Sequence, residues 1–398
     1  MASIIRAQSF DTVRTDTVNV IQAQNAAMLI NIGSRNPTNF DGTLNAMGFL
    51  YLLNPNGIFF GPNAQVNAGG LVASSLNLTE SNFLKGHYLF QGTGIEGWVK
   101  NAGSIHGTNG VYLLAPNVEN SGVITSPGGN IVLAAGAQAF LSNRSDGRGF
   151  LAEISNLAGQ AVNFKDLIAD GGNITMAGRV VNQAGLIRAD SVREQNGKIE
   201  LLASAAVTLQ DGSRTLARGG DVGISNGGTI RAIADLTSGT ATFAKGAVID
   251  VSGGKNGGHG GFAEVSGAAV RLGGQFLGRA LPGFKGGRFL IDPIVSTVGP
   301  SNFASFEGSG ASEVTFQSPV GSDLVVTGQY DLNAGWTLAG TPGTLTFLAG
   351  GNLIFDNARL TNTGSNTRWD YVGTATAGDV LFKNSGLVTG FGGNMTFT

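Results

Sequence analysis

The 398-residue chain contains no cysteine, which excludes disulfides, thiolate metal sites and cysteine nucleophiles. Charge is also scarce. Asp, Glu, Lys and Arg together make up 13% of the residues, about half the usual share. The net charge is −2 and no run of Lys or Arg exceeds two residues, so neither nucleic acid nor an anionic membrane surface is expected as the main partner. No segment reaches the roughly 18 uninterrupted apolar residues of a membrane-spanning helix, and the start, Met1 to Phe10, lacks the apolar core of a signal peptide. Amphipathic helices are nearly missing; Glu80 to Lys85 is the one candidate.

What the chain has instead is glycine, 64 residues against only 10 prolines, on a background that is 42% hydrophobic. That mixture, without a collagen period, favours many short strands joined by tight turns. One motif is a small polar turn leading into apolar or β-branched residues. It occurs at Asn101-Ala102-Gly103-Ser104-Ile105, Asn120-Ser121-Gly122-Val123-Ile124, Gln183-Ala184-Gly185-Leu186-Ile187, Asn226-Gly227-Gly228-Thr229-Ile230 and Asn384-Ser385-Gly386-Leu387-Val388. The first four glycines are spaced near one, three and two multiples of about 20 residues. A second motif is a glycine corner followed by alternation, as in GGNIVL (128–133), GGNITM (171–176), GGDVGI (219–224), GGFAEV (260–265), GGNLIF (350–355) and GGNMTF (392–397). Ile131 with Leu133, and Ile174 with Met176, fall on one face of such strands.

A period near 20 with two or three short strands is the arithmetic of stacked coils, each covering the backbone edge of the last. The expected fold is all-β, a right-handed parallel β-helix (β-solenoid) of about 20 residues per coil. Phenylalanine supplies 23 residues against 3 Trp and 5 Tyr, which points to rings stacked inside rather than to an exposed sugar-binding face.

Candidate chemistry is thin. His87, His106 and His259 show no metal-ligand spacing, and no metal or cofactor is expected. Gly253 to Gly261 (GGKNGGHGG) could cradle an anion with backbone amides, yet it reads better as a glycine corner because no helix follows. Asp170, Asp190 and Asp211 recur at gaps of 20 and 21, with Asp250 39 later, and could stack as a catalytic or calcium-binding ladder. Asp170 and Asp211 precede glycine, as turn aspartates do, and no Lys or Arg recurs beside the set. A turn role is favoured, and no enzyme activity is expected.

The stretch with the most specific wording is residues 51–78. Asn54-Pro55-Asn56-Gly57 is a tight turn between the apolar runs Leu50 to Leu53 and Ile58 to Phe60, and further corners follow at Gly61-Pro62-Asn63-Ala64 and Asn67-Ala68-Gly69-Gly70. The ordered run Asn54, Pro55, Asn56, Gly57, Ile58, then Phe60-Gly61, Val66-Asn67 and Gly69-Gly70-Leu71-Val72-Ala73-Ser74 closely resembles the secretion domain of filamentous-haemagglutinin-like exoproteins of two-partner secretion systems. The resemblance continues upstream through Asn36-Pro37 and Gly42 to Ala46, and downstream through Phe83 to Tyr88. The family's second short motif, NPNL, is absent; Gln22-Ala23-Gln24-Asn25 stands near its place.

The resemblance implies a chain recognised in the periplasm by an outer-membrane β-barrel transporter with periplasmic POTRA domains, exported unfolded and folded outside a Gram-negative-type cell. It implies the N-terminal part of a large surface adhesin or haemagglutinin, with the secretion motif formed by Asn54 to Ile58, Gly61, Asn67, Gly69 and Gly70. Residues 1–290 are expected to form the secretion domain, with an incomplete N-terminal cap and the signal peptide lying upstream. Residues 291–398, past Gly286-Gly287-Arg288-Phe289-Leu290-Ile291-Asp292-Pro293, are expected to open a further β-helical shaft with more coils to follow. The alternatives are a β-helical polysaccharide lyase or hydrolase and the stalk of a contact-dependent toxin.

Overall fold

The computed structural model describes residues 2–92, 94, 96–145, 149–192, 195–292, 297–332, 343–362, 368–387 and 393–398. Pro293, Val388 and Gly392, each part of a motif above, lie outside these. The chain divides into two compact units, one of Met1–Ala189 with Glu200–Ser204, the other of Asp190–Ile199 with Ala205–Thr398. Both are parallel β-helices.

In the first unit the coils place their strands on three faces, with Thr43–Leu53 and Gln65–Ser74 each running unbroken from one face to the next. On the first face Ala27–Ile32, Thr43–Leu53, Gln65–Ser74, Val111–Ala115, Asn130–Asn143 and Asn173–Gln183 stack in order. Their register lines up Met28, Leu50, Leu71, Val111, Ile131 and Ile174, and beside them Ile30, Leu52, Ala73, Leu113, Leu133 and Met176. From Leu50 onward every member of both columns is buried without exposure. At about 1.5–3 kcal/mol for each large apolar side chain removed from water, such columns dominate the stability of the stack.

Register also gives the coil length. Ser104 lies beside Val123 and Asp166 beside Leu186, so these coils take 19 and 20 residues. Two coils are longer: Leu71 lies beside Val111, and Ile131 beside Ile174, at 40 and 43 residues. The interval between Gly122 and Gly185, expected to hold three coils, therefore holds two, one of which carries an excursion.

Both excursions leave after the first-face strand and before the next. One contains the short helix Glu80–Leu84 and the strand Tyr88–Gln91; the other is the hairpin formed by the outer half of Asn130–Asn143 with Phe150–Leu157. They meet as an antiparallel sheet, with Gln138 opposite both Gln91 and Ser155. The helix is capped by Thr79, whose side chain accepts from the Asn82 N–H. This small module covers the outer side of the first face. Under it Leu29, Tyr51, Leu53, Val72, Tyr112, Leu114, Phe83, Phe90 and Phe150 form a second core. Apolar runs such as YLL at 51–53 and VYLLA at 111–115 are thus buried on both sides, as in a sheet covered on two faces. The Tyr112 hydroxyl fixes the hairpin by donating to the Phe150 carbonyl at 3.0 Å and accepting from its N–H at 2.6 Å.

Coils in the second unit are longer. Ala206 lies beside Thr240 and Tyr371 beside Met395, 34 and 24 residues on. The added length sits in glycine-rich corners and in the helix Pro300–Ala304, which occupies part of the stretch after residue 296 where the turn period fades in the sequence. A second parallel sheet begins at Thr297–Val298 and continues through Leu324–Asp331, Leu353–Thr361 and Val380–Lys383. Phenylalanine fills the interior as expected: Phe276 stacks on Phe306 at 4.8 Å, Phe316 on Phe347 at 6.1 Å, and Phe276 meets Phe243 at 4.8 Å.

Turn chemistry in this unit carries one pH signature. The Asp235 carboxylate accepts from the Thr237 N–H and hydroxyl and from the Ser238 N–H and hydroxyl, at 2.5 to 3.0 Å. The Thr237 hydroxyl leads these donors in holding its pKa down at about 2. Because the folded value is depressed, this turn keeps its contribution above the ordinary carboxylate range and loses it as pH falls through about 2. Carboxyl carbon NMR shifts should show Asp235 titrating near that value; a midpoint at the ordinary aspartate value would remove the four-donor turn.

Candidate functional site

Asn54-Pro55-Asn56-Gly57 is a corner between the first-face strand ending at Leu53 and the strand Ile58–Phe60. Gly57 closes it by donating to the Asn54 carbonyl at 2.9 Å, with φ at 114°, a conformation that side-chain-bearing residues rarely adopt. Asn54 is fully buried. Its amide nitrogen donates to the Asn36 carbonyl at 3.0 Å and to Thr38 Oγ1 at 2.9 Å, and its oxygen accepts the Asn56 N–H at 3.0 Å. An amide is the one neutral side chain that can donate twice and accept here.

The corner is tied to neighbours on both sides. Asn56 Nδ2 donates to the Ser34 carbonyl at 2.7 Å, while Thr38 donates to the Gly57 carbonyl at 2.9 Å. In the other direction Gly97 donates to the Pro55 carbonyl at 2.7 Å and Ile58 donates to the Trp98 carbonyl at 2.9 Å. A Cβ at Gly57 would lie 2.8 Å from that Trp98 oxygen. Gly97 and Trp98 end the helix-bearing excursion, so the corner also anchors the module. Of Asn54 to Ile58 only Pro55 and Asn56 are exposed.

The remaining residues of the expected motif lie elsewhere along the same coil and are not gathered with Asn54. At Gly61 a side chain would collide with the Asp41 carboxylate, 2.2 Å from the Cβ position, which is held there by Asn63 N and Nδ2 at 3.0 and 2.8 Å. Gly69 and Gly70, expected as a third corner, instead lie inside the continuous strand Gln65–Ser74 where its register against Thr43–Leu53 shifts, pressed against the Met47 carbonyl and the Phe49 ring, each 2.2 Å from a Cβ position. Asn67 belongs to an outward ladder, donating to Asn45 at 3.2 Å, which donates to Asn19 at 3.0 Å.

The repeat of polar turns beyond residue 100 becomes an interior ladder. Asn101, Asn120, Asn163 and Gln183 are all fully buried. Each amide nitrogen donates to the next amide oxygen at 2.8 Å, from Asn101 to Asn120 to Asn163 to Gln183. Each also donates to the carbonyl two residues on, that of Gly103, Gly122, Lys165 or Gly185. Asn163 escapes the sequence pattern because Lys165 stands where the others have glycine; its place 43 residues after Asn120 is set by the excursion.

The aspartates do not stack as one ladder, and arginines do accompany two of them. Asp170 takes a two-pronged contact from Arg188, with distances of 2.6 to 3.1 Å. Asp190 takes one from Arg218, at 2.6 and 3.2 Å, plus the Arg218 N–H at 2.8 Å. The Asp190 hydrogen bond holds the Arg218 pKa above its usual value. These partners lie 18 and 28 residues away, a separation fixed by coil register and invisible in local spacing. Asp250 accepts from Ser252 N–H and hydroxyl at 2.9 and 2.6 Å, and Asp211 sits in an exposed turn. Pairs with solvent access contribute about 1 kcal/mol or less. Asp170→Asn and Asp190→Asn should therefore fold and melt close to the parent in thermal denaturation; loss of the fold in either would mean a deeper role.

The glycine run at 253–261 is packed rather than open: a Cβ at Gly253 would sit 2.2 Å from the Gly258 carbonyl, and one at Gly258 2.0 Å from that of Ser225. His259 Nδ1 accepts from Lys285 N at 2.9 Å, while His106 Nδ1 contacts Thr125 Oγ1 at 2.9 Å and His87 packs on Phe140. No cluster of three or more His, Asp or Glu side chains suited to a metal ion occurs among the described residues.

A parallel β-helix carrying a helix-and-hairpin module over one face, with an NPNG corner held by a buried Asn54 between them, defines the class. The sequence model of the TPS secretion domain matches residues 2–265, and the chain belongs to that family. Among solved structures, the crystal structure of the HMW1 secretion domain from Haemophilus influenzae is similar, with a TM-score of 0.57 at 22% identity over 99% of this chain and 92% of that one; the likeness carries the fold. No curated protein matches the sequence.

Proposed function

We propose that the chain is the secretion domain of a two-partner exoprotein, exported through a dedicated outer-membrane β-barrel transporter whose periplasmic POTRA domains receive it unfolded. The family match over residues 2–265 carries this reading. Absence of cysteine suits it, since no disulfide can lock the chain before passage. Stacking supplies a direction: each coil that forms outside presents an edge on which the next can pair, and burial of the interior columns opposes return. The exported product is a surface adhesin or haemagglutinin rather than an enzyme. In support, the two recurring aspartates that could have served as an acid and base are engaged by arginine.

We place the secretion domain at residues 1–290 and the opening of a further β-helical segment at 291–398. The second sheet that begins at Thr297–Val298 supports that division. The test is to co-produce the chain behind a periplasmic signal peptide with and without its transporter. Folded, protease-resistant chain should reach the medium only with the transporter; equal amounts in its absence would overturn the reading.

A further inference from the structure

Five Asn-Gly steps occur in the chain, at Asn56, Asn109, Asn196, Asn226 and Asn256. Such a step is chemically labile, because glycine has no Cβ to hinder the approach of its backbone nitrogen to the preceding side-chain amide. The reaction needs only water. The glycine nitrogen gives up its proton and attacks Asn Cγ; the new C–N bond closes a succinimide ring, and the Cγ–Nδ2 bond breaks to release ammonia. Water then opens one of the two ring C–N bonds, leaving aspartate or isoaspartate. A hydrogen bond from the glycine N–H, or one that fixes the asparagine amide, must be released before the nitrogen can attack.

The fold treats the five steps differently. At three of them both groups are tied. Gly57 donates to the Asn54 carbonyl at 2.9 Å while Asn56 Nδ2 donates to the Ser34 carbonyl at 2.7 Å. Gly227 donates to the His259 carbonyl at 2.8 Å while Asn226 Oδ1 accepts the His259 N–H at 2.8 Å. Gly257 donates to the Gly254 carbonyl at 3.1 Å while Asn256 Nδ2 donates to the Asp221 carbonyl at 2.8 Å. At the fourth, Gly197 makes only a long contact of 3.4 Å to Ser191 Oγ, and the Asn196 amide has no hydrogen bond among the described residues. At the fifth, neither the Gly110 N–H nor the Asn109 amide has a hydrogen-bond partner among the described residues. A buried residue such as Gly110 with its N–H unbonded is rare in a folded chain. Asn109 is half-exposed and lines a cleft of about 240 Å³ beside the first face, so water reaches it.

We infer that Asn109 is a site of spontaneous deamidation in the folded chain, and that the fold shields Asn56, Asn226 and Asn256 from the same reaction. The product has consequences where it forms. No Lys, Arg, Asp, Glu or His lines the cleft, so aspartate would place the first charge there. Isoaspartate would add a methylene to the backbone between the Asn109 N–H, which donates to the Gly69 carbonyl at 2.7 Å, and the Gly110 carbonyl, which accepts the Leu71 N–H at 3.0 Å. Both bonds join the first-face strand Gln65–Ser74 to the next coil. The inference concerns the folded chain and does not depend on export.

The experiment is to age the full chain at neutral pH, once in native buffer and once in urea, and to follow each Asn-Gly peptide by mass spectrometry, which resolves the replacement of NH2 by OH. In native buffer Asn109 should convert at least about tenfold faster than Asn56, Asn226 and Asn256, whose glycine N–H groups must first be freed by local opening. Asn196 should fall between. In urea the five should convert at similar rates. Asn109→Gln, which disfavours ring closure, should remove the earliest acidic species seen by ion exchange. The inference is overturned if Asn109 converts no faster than Asn56 in native buffer, or if the same ranking persists in urea, which would assign it to sequence and not to the fold.

Discussion

Asn54→Ala should lower the free energy of unfolding of the chain by about 3 kcal/mol, read from chemical denaturation. The side chain is fully buried and makes three hydrogen bonds, to the Asn36 carbonyl, Thr38 Oγ1 and the Asn56 N–H. Each net bond is worth about 1 kcal/mol, and Thr38, the one partner that is itself buried, adds the desolvation of a hydroxyl left without its donor. Asn54→Asp provides the sharper test. At neutral pH its carboxylate could keep the acceptor role but not the two donor roles, and it would face the Asn36 carbonyl oxygen. It should therefore be less stable than the alanine variant at pH 7 and recover relative to it on acidification, when the protonated acid can donate again. Equal stability of Asn54→Ala and the parent would mean that the corner holds without its side chain.

The second large effect lies in the interior ladder. Asn120 donates to Asn163 and to the Gly122 carbonyl, and accepts from Asn101 and the Gly122 N–H. Asn120→Ala should cost about 4 kcal/mol, since its four bonds are lost in a dry interior and Asn101 and Asn163 each lose a ladder partner there. Asn101→Ala should cost less, about 2–3 kcal/mol, because Asn101 donates along the ladder to Asn120 without itself receiving a ladder bond. The double variant should fall short of the sum, since both changes remove the same 2.8 Å bond. Simple additivity in equilibrium unfolding would show that the amides act as separate turn residues and not as a connected column.

How much of this could be read from residues alone follows from which interactions are local. The coil period, the inward columns and the phenylalanine interior come from alternation and glycine spacing, and these are short-range properties of the chain. Helix formation at Glu80 was legible too, because Thr79 caps it locally. The module was not. Its strand Tyr88–Gln91 meets the hairpin across 47 residues and more, as Gln91 does with Gln138, and the apolar outer positions that it covers read only as strongly buried strands. The same limit hid Arg188 and Arg218 as partners of Asp170 and Asp190, which meet them only through coil register.

The NPNG stretch was recognisable as a corner, but its sequence does not say which of its residues face solvent. Burial divides it: Pro55 and Asn56 form the surface, while Asn54, Gly57 and Ile58 belong to the frame. We therefore expect any effect of Asn54 on export to pass through folding, as it would for any residue whose loss delays coil formation.

That claim is tested most directly by measuring, in the same set of variants, the refolding rate of the purified chain and its rate of appearance in the medium with the transporter present. The set is the parent, Asn54→Ala and Asn120→Ala, the last lying far from the motif. The account predicts that both variants refold more slowly and that export falls in each in proportion to that loss. Export abolished by Asn54→Ala with refolding intact, while Asn120→Ala is exported normally despite impaired refolding, would contradict it.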